Sequence, residues 1–162
     1  MKTVLVVGAG RYQVAVIRRA RELGLRVVAV DRNPDAPGLR EADVPRVVDF
    51  STPGAVLDDV RFLGIDGVLT VQAERAVPMV AALAEALGLP GIGVDTARLM
   101  TNKLAMRAQL AEAGVPQPRF ATVRTPEEAR AEAPGIGFPA VLKPADSAGQ
   151  VGLARIESGA DA

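Results

Sequence analysis

Short apolar runs alternate with segments of helical periodicity along the first half of the chain. The apolar runs predict strands, and the periodic segments predict helices with one apolar face. The predicted strands cover residues 3–7, 26–30, 46–48 and 67–71, and the predicted helices cover residues 14–23, 53–63 and 75–87. Since strand–helix–strand units close with right-handed crossovers, this order predicts a parallel, doubly wound α/β sheet.

Glycines mark the ends of the predicted helices. Gly24, Gly64, Gly88 and Gly114 each follow a helical segment and precede an apolar residue. A glycine with positive φ, followed by an apolar contact, is a common way to end a helix and turn the chain. The first three of these signals support a Rossmann-like fold for residues 1–94.

The order of elements changes from residue 95 onward. Helices are predicted at 96–100 and 103–113, a strand at 119–123, and a helix capped by Thr125 with Glu128 at the capping-box position. Strands at 138–143 and 151–156 can pair as an antiparallel hairpin around a glycine-bearing loop. These few elements cannot close a sheet with covered edges. We therefore expect residues 95–162 to be an incomplete α+β subdomain.

Composition narrows the possible functions. Nineteen basic and nineteen acidic residues give no net charge, and the few aromatics are scattered, so neither a nucleic acid nor a membrane is expected as a partner. The apolar run at the start of the sequence is too short to be expected to span a membrane. Cysteine and histidine are both absent, which excludes disulfides, thiolate nucleophiles and histidine-based triads. A cytoplasmic location is expected, with chemistry resting on Lys, Arg, carboxylates, backbone amides and a bound cofactor.

Two internal lysines indicate a phosphate site. Only three of the nineteen basic residues are lysines, and Lys103 opens a predicted helix while Lys143 ends a predicted strand. Strand alternation places Lys143 on the same face as Val141, a face expected to be half buried. Gly149 and Gly152 would let backbone N–H groups of a flap at residues 147–152 approach an anion. An ordinary hairpin turn is the alternative interpretation.

A second candidate site follows the first predicted strand. The loop G-A-G-R-Y-Q brings Gly8, Gly10 and Arg11, and it begins like a dinucleotide-binding turn with Asp31 ending the second strand. Gln13 stands where that turn has its third glycine, which weakens the nicotinamide interpretation. Glu74 follows the fourth strand at the same sheet edge, where open α/β sheets bind ligands. Asp31 could instead simply end its strand, and Glu74 could complement a helix dipole.

The order of these segments resembles the ATP-grasp superfamily. The likeness rests on G-A-G-R-Y-Q, V-V-A-V-D-R-N-P-D-A-P-G, I-D-G-V-L-T, N-K-L-A-M-R-A-Q-L-A-E-A-G-V-P-Q-P-R-F and F-P-A-V-L-K-P-A-D-S-A-G-Q-V-G. It is similar to carboxylate–amine ligases, including the N-terminal regions of carbamoyl-phosphate synthase large chains and biotin carboxylases. The resemblance implies a pre-ATP-grasp domain at 1–94 and the beginning of the ATP-grasp domain at 95–162.

The resemblance also implies roles for individual residues. A carboxylate would be phosphorylated by Mg-ATP, and an amine would attack the acyl phosphate. The residues implied to contact ATP are Lys103, Lys143, Ser147, Ala148, Gly149, Gln150 and Gly152. Those expected to help bind the small carboxylate or amine substrate are Gly8, Gly10, Arg11, Asp31 and Glu74. Catalytic groups and the Mg²⁺ ligands are expected outside these residues, so the chain alone is expected to be inactive.

Two other functions stay open at this point. The G-A-G turn and Asp31 would also fit an NAD(P)-binding reductase domain. A non-catalytic ligand-binding module that kept the fold is the third possibility. A homodimer is possible on any of these interpretations.

Overall fold

The computed structural model describes residues 1–147, 149, 151–159 and 161. Its strands are β1 Thr3–Val7, β2 Arg26–Asp31, β3 Val44–Val47, β4 Gly67–Leu69, β5 Ala140–Leu142 and β6 Ala154–Ile156. Its α-helices are α1 Val14–Glu22, α2 Pro53–Val60, α3 Val77–Ala86, α4 Val94–Thr101, α5 Lys103–Glu112 and α6 Pro126–Ile136. Short 3₁₀ turns lie at Pro37–Arg40 and Glu74–Ala76.

The chain divides into two compact units, Met1–Thr101 and Asn102–Ala162. This division lies seven residues beyond the boundary expected after residue 94, because α4 packs against α3 and so belongs to the first unit. The assignment of the two units to named family domains stays a prediction.

The first unit contains the predicted parallel sheet. Its strand order is β3-β2-β1-β4, and every neighbouring pair is parallel. The chain moves from β1 outward to β3 and then returns to β4 on the other side of β1. The order therefore reverses between β1 and β4, which is where open α/β sheets place ligands.

Apolar side chains cover both faces of this sheet, which confirms the doubly wound arrangement. One face packs Val4, Val6, Val27 and Ala29 against Ile17 and Ala20 of α1. The other packs Leu5, Val7, Val28 and Val30 against Val56 and Val60 of α2 and Leu83 of α3. Leu23, the last residue of the helix predicted at 14–23, is 61% exposed because the helix ends at Glu22.

The glycine signals are confirmed by the backbone. Gly24, Gly64, Gly88 and Gly114 have φ values between +64° and +76°. At the end of α1 the amide of Leu25 donates to the Ala20 carbonyl at 3.1 Å, so the turn after Gly24 satisfies an otherwise unpaired helix carbonyl.

The second unit contains the predicted hairpin but lacks one predicted strand. β5 and β6 pair antiparallel, with Ala140 opposite Ile156. Residues 119–123 form no strand, because no described residue supplies a neighbouring strand to which they could bond. No helix in the described part of the chain is long and apolar enough to cross a membrane.

Candidate functional site

The start of α5 holds Lys103 against the loop that follows β5. The side chain of Asn102 caps the helix by accepting from the amides of Leu104 and Ala105, each at 3.0 Å. The amide of Lys103 donates to the Ala145 carbonyl at 2.9 Å, and its ammonium donates to the Ser147 carbonyl. Two donors of Lys103 therefore hold the loop after β5, up to Ser147 at the start of the predicted flap.

Lys103 and Lys143 line one cavity of about 700 Å³ within the second unit. Its walls come from α5, α6, β5 and the irregular segment between the two helices. The charged residues that line it are Lys103, Arg107, Arg119, Glu132 and Lys143. With four cations against one carboxylate, the cavity favours an anionic ligand, and its volume lies within the range of ordinary small-molecule sites.

The two arginines of this cavity were missed in the sequence. Arg107 donates to the side chain of Gln117 at 3.2 Å and lies over the ring of Phe120, with its guanidinium carbon 5.1 Å from the ring centroid. Arg119 donates to the Gly135 carbonyl at 3.2 Å. Arg107 follows Lys103 by four residues in a helix, so i,i+4 spacing could have placed both on one face.

Lys143 differs from the sequence expectation in its exposure. It was expected on a half-buried face, but Lys143 is exposed, and Val141 on the same face is 56% exposed. In the second unit as described, the two-stranded sheet leaves this face uncovered. The Lys143 ammonium is therefore hydrated and does not require a buried counter-ion.

The predicted flap is described in part. Gly149 and Gly152 have φ values of +65° and +71°, which side chains rarely adopt. A Cβ on Gly152 would also lie 2.8 Å from Cγ of Pro144, so both the positive φ and this close contact favour glycine at the position. Ala148 and Gln150 lie outside the described residues.

The second group of predicted residues lies at the carboxyl edge of the first unit's sheet. Gly8, with φ of +87°, turns the chain out of β1. The exposed Arg11 donates to the Tyr12 hydroxyl and stacks 4.5 Å from that ring's centroid. Glu74 is exposed at the start of the 3₁₀ turn before α3. The parallel strands thus bring these loops to one edge.

Asp31 has a structural role at this edge. Its Oδ2 accepts the amide of Ala9 at 2.7 Å, and its Oδ1 accepts the amide of Asn33 at 2.9 Å. Both carboxylate oxygens therefore hold backbone of the turn after β1 and of the turn after β2. This use is closer to the strand-ending alternative than to that of a substrate-binding acid.

Side chains also join the loops after β1 and β4. The Thr70 hydroxyl donates to the Val7 carbonyl at 2.7 Å, and the Gln13 amide donates to the Val71 carbonyl. The next residue, Gln72, has φ of +50°, a conformation uncommon outside glycine.

The described residues contain no cluster of three or more acidic, histidine or cysteine side chains that could hold a metal ion.

Each unit, taken by itself, has a fold and a group of site residues that can be compared with known protein families. The first unit is a Rossmann-like parallel sheet with the loops of Gly8, Arg11 and Glu74 at its carboxyl edge. The second is an α+β unit whose cationic cavity is lined by Lys103 and Lys143. Residues 17–91 match the model of the ATP-grasp N-terminal domain.

Relatives agree with this match. The chain is 36% identical, over 98% of its length, to a formate-dependent phosphoribosylglycinamide formyltransferase of Burkholderia thailandensis. An L-amino acid ligase from Bacillus licheniformis is 26% identical with a TM-score of 0.74, over 98% of this chain and 39% of that chain. N5-Carboxyaminoimidazole synthetase of Staphylococcus aureus, complexed with ADP, shares the fold at a TM-score of 0.80 and 19% identity, over 99% of this chain and 42% of that chain.

This chain belongs to the ATP-grasp superfamily, which confirms the resemblance drawn from its motifs. It spans about 40% of the length of the curated relatives that it matches.

Proposed function

We propose that this chain is the N-terminal portion of an ATP-dependent ligase that activates a carboxylate for attack by an amine. The observation that supports it most is that Lys103 and Lys143, 40 residues apart in sequence, line one cationic cavity. Relatives include a formate-dependent transferase and an amino acid ligase. Residues 1–94 would be the pre-ATP-grasp domain, and residues 95–162 the beginning of the ATP-grasp domain.

The proposed reaction has two steps. A carboxylate oxygen of the substrate attacks the γ-phosphorus of ATP, the bond to the β,γ-bridging oxygen breaks, and ADP leaves. The amine nitrogen then attacks the acyl carbon, loses a proton and displaces inorganic phosphate. Charge builds on the transferred phosphoryl oxygens, so fixed positive groups contribute most to such catalysis. Mg²⁺, held by groups outside those described, would supply further positive charge.

The two cavity lysines and the flap have distinct proposed roles. The ammonium groups of Lys103 and Lys143 would pair with phosphate oxygens, as compact cations do. Backbone amides near Gly149 and Gly152 would close over them. Because the Lys103 ammonium donates to the Ser147 carbonyl, phosphate binding would exchange that internal acceptor for an anionic one.

The small carboxylate or amine substrate is proposed to bind at the carboxyl edge of the sheet in the first unit. Arg11 could pair with a carboxylate, and Glu74 could receive an amine. Gly8 and Gly10 would shape the turn, while Asp31 would keep it in place. Assembly as a homodimer stays a prediction.

Amine-reactive labelling tests the nucleotide assignment, because the chain has three lysines that mass spectrometry can follow separately. Mg-ATP should protect Lys103 and Lys143 while Lys2 continues to react, and NADH should protect none of them. Lys103→Met and Lys143→Met should each weaken ATP binding about 10- to 100-fold, since a hydrogen bond to a charged group contributes about 1.5–3 kcal/mol. Lys2→Met is the matched control.

Equal labelling of all three lysines with and without ATP would refute the nucleotide assignment. Turnover is tested separately by coupled ADP release with formate and other small carboxylates and amines. We expect none from the 162-residue chain, and sustained ADP release would contradict that part of the proposal.

A further inference from the structure

Gln13 occupies the position of the third glycine in a dinucleotide-binding turn. The first two glycines of that fingerprint are present as Gly8 and Gly10. In the fingerprint the first glycine makes the tight turn, and the second lets the backbone approach a pyrophosphate closely. Gln13 is only 5% exposed, so its side chain is directed into the protein at this turn.

The carboxamide of Gln13 lies against the open sides of both glycines. A Cβ on Gly10 would lie 3.2 Å from its Oε1, and a Cβ on Gly8 would lie 3.8 Å from its Cδ. The space that the two glycines provide is therefore already filled by a side chain of the same turn.

The orientation of this carboxamide follows from its partner. The Gln13 side chain bonds to the Val71 carbonyl, which can only accept, so the NH₂ group faces Val71. Oε1 is therefore the atom that faces Gly10, at the distance given above. An acceptor oxygen in that place opposes a phosphate oxygen electrostatically as well as by volume.

Asp31 is a second element of a dinucleotide site that is already partly engaged. The acid of such a site accepts from a ribose hydroxyl group, and here each carboxylate oxygen has one of its two lone-pair positions taken by a backbone amide. Here the carboxylate accepts the amides of Ala9 and Asn33, and the Ala9 amide is thereby also withdrawn from any anion.

We propose that Gln13 is a specificity-determining residue that closes this turn to dinucleotides and other diphosphates. Its carboxamide takes the place of the pyrophosphate against Gly8 and Gly10. It also ties the turn after β1 to the loop after β4, which carries Glu74. The sheet edge is thereby reserved for ligands that approach Arg11 and Glu74 without a diphosphate. This inference does not depend on the proposed ligase activity.

The test adds inorganic pyrophosphate or NADH to the ¹⁵N-labelled chain and follows the amide signals of Gly8, Ala9 and Gly10. Gln13→Gly completes the fingerprint and should bind pyrophosphate at these amides at least tenfold more tightly than the wild type. Gln13→Met keeps the volume without the hydrogen bond and should stay closed. Gln13→Ala is a second opening variant should the glycine variant not fold.

Three results would overturn the proposal. The first is saturable pyrophosphate shifts at Gly8 and Gly10 in the wild type that equal those of the opened variants. The second is no gain of binding in whichever opening variant folds. The third is a Gln13→Met variant that binds as well as they do. ATP protection of Lys103 and Lys143 is a separate readout, so a failure here is distinguishable from a failure of the nucleotide assignment.

Discussion

Replacing Asp31 by Asn distinguishes a structural role of its carboxylate from a ligand-binding role. In the structure both oxygens of Asp31 accept backbone amides, from Ala9 at 2.7 Å and from Asn33 at 2.9 Å. Asparagine keeps a single carbonyl oxygen and cannot serve both amides. Its NH₂ group must then face one of the two N–H groups, which are both donors.

The expected loss can be worked out from these two bonds. A hydrogen bond to a charged acceptor contributes about 1.5–3 kcal/mol, and a neutral one about 0.5–1.5 kcal/mol. Asp31→Asn converts one bond to the neutral kind and loses the other to water, so we expect about 3 kcal/mol of destabilisation. Asp31→Ala leaves the amide of the buried Ala9 without a partner, and about 4 kcal/mol is expected.

Urea denaturation followed by tyrosine fluorescence measures this loss. The chain has one tyrosine, Tyr12, and no tryptophan, so the signal reports the turn of the first unit. With a slope of about 2 kcal/mol per molar urea, the midpoint should fall by about 1.5 M in Asp31→Asn. Asp58→Asn makes the same charge change at a side chain that is 72% exposed, and it should shift the midpoint by less than about 0.3 M.

A stability of Asp31→Asn equal to that of Asp58→Asn would refute the structural role. Asp31 would then be available to a ligand, as a substrate-binding acid would be. A lower midpoint with a changed slope would indicate a different unfolded or native state rather than two lost hydrogen bonds.

Two further predictions concern packing and pH. Gly38→Ala should lower the free energy of unfolding by about 1–3 kcal/mol, because its Cβ would lie 2.7 Å from the Ala9 carbonyl oxygen. Gly54→Ala is the control: its Cβ would have no atom within 4 Å, so it should be neutral or stabilising in the same urea assay. Equal effects of the two substitutions would contradict the close approach at Gly38. The Arg18 hydrogen bond holds the pKa of Glu41 below its ordinary value, so the stability from this pair is present above the ordinary pKa and is lost as the pH falls through the lowered one. An NMR titration of Glu41 that is unchanged in Arg18→Gln would show this cause to be wrong.

The elements of the first unit could be predicted because their signals are local. Strand β1 is a run of β-branched and leucine residues, and the capping glycines take positive φ at helix ends. The parallel order follows from the crossovers between such elements. The prediction of a strand at 119–123 was wrong because a strand needs a neighbouring strand to which it can hydrogen-bond, and the local sequence does not show whether one is present.

The sequence alone determined the alternation of elements, the absence of cysteine and histidine chemistry, and the family motifs around Lys103 and Lys143. Only the tertiary structure decided which atoms meet at the two candidate sites. Gln13 reaches a carbonyl 58 residues away, and Lys103 reaches one 44 residues away. Such contacts depend on how distant segments pack, so no local pattern could show that Asp31 is already bonded or that a side chain fills the glycine turn.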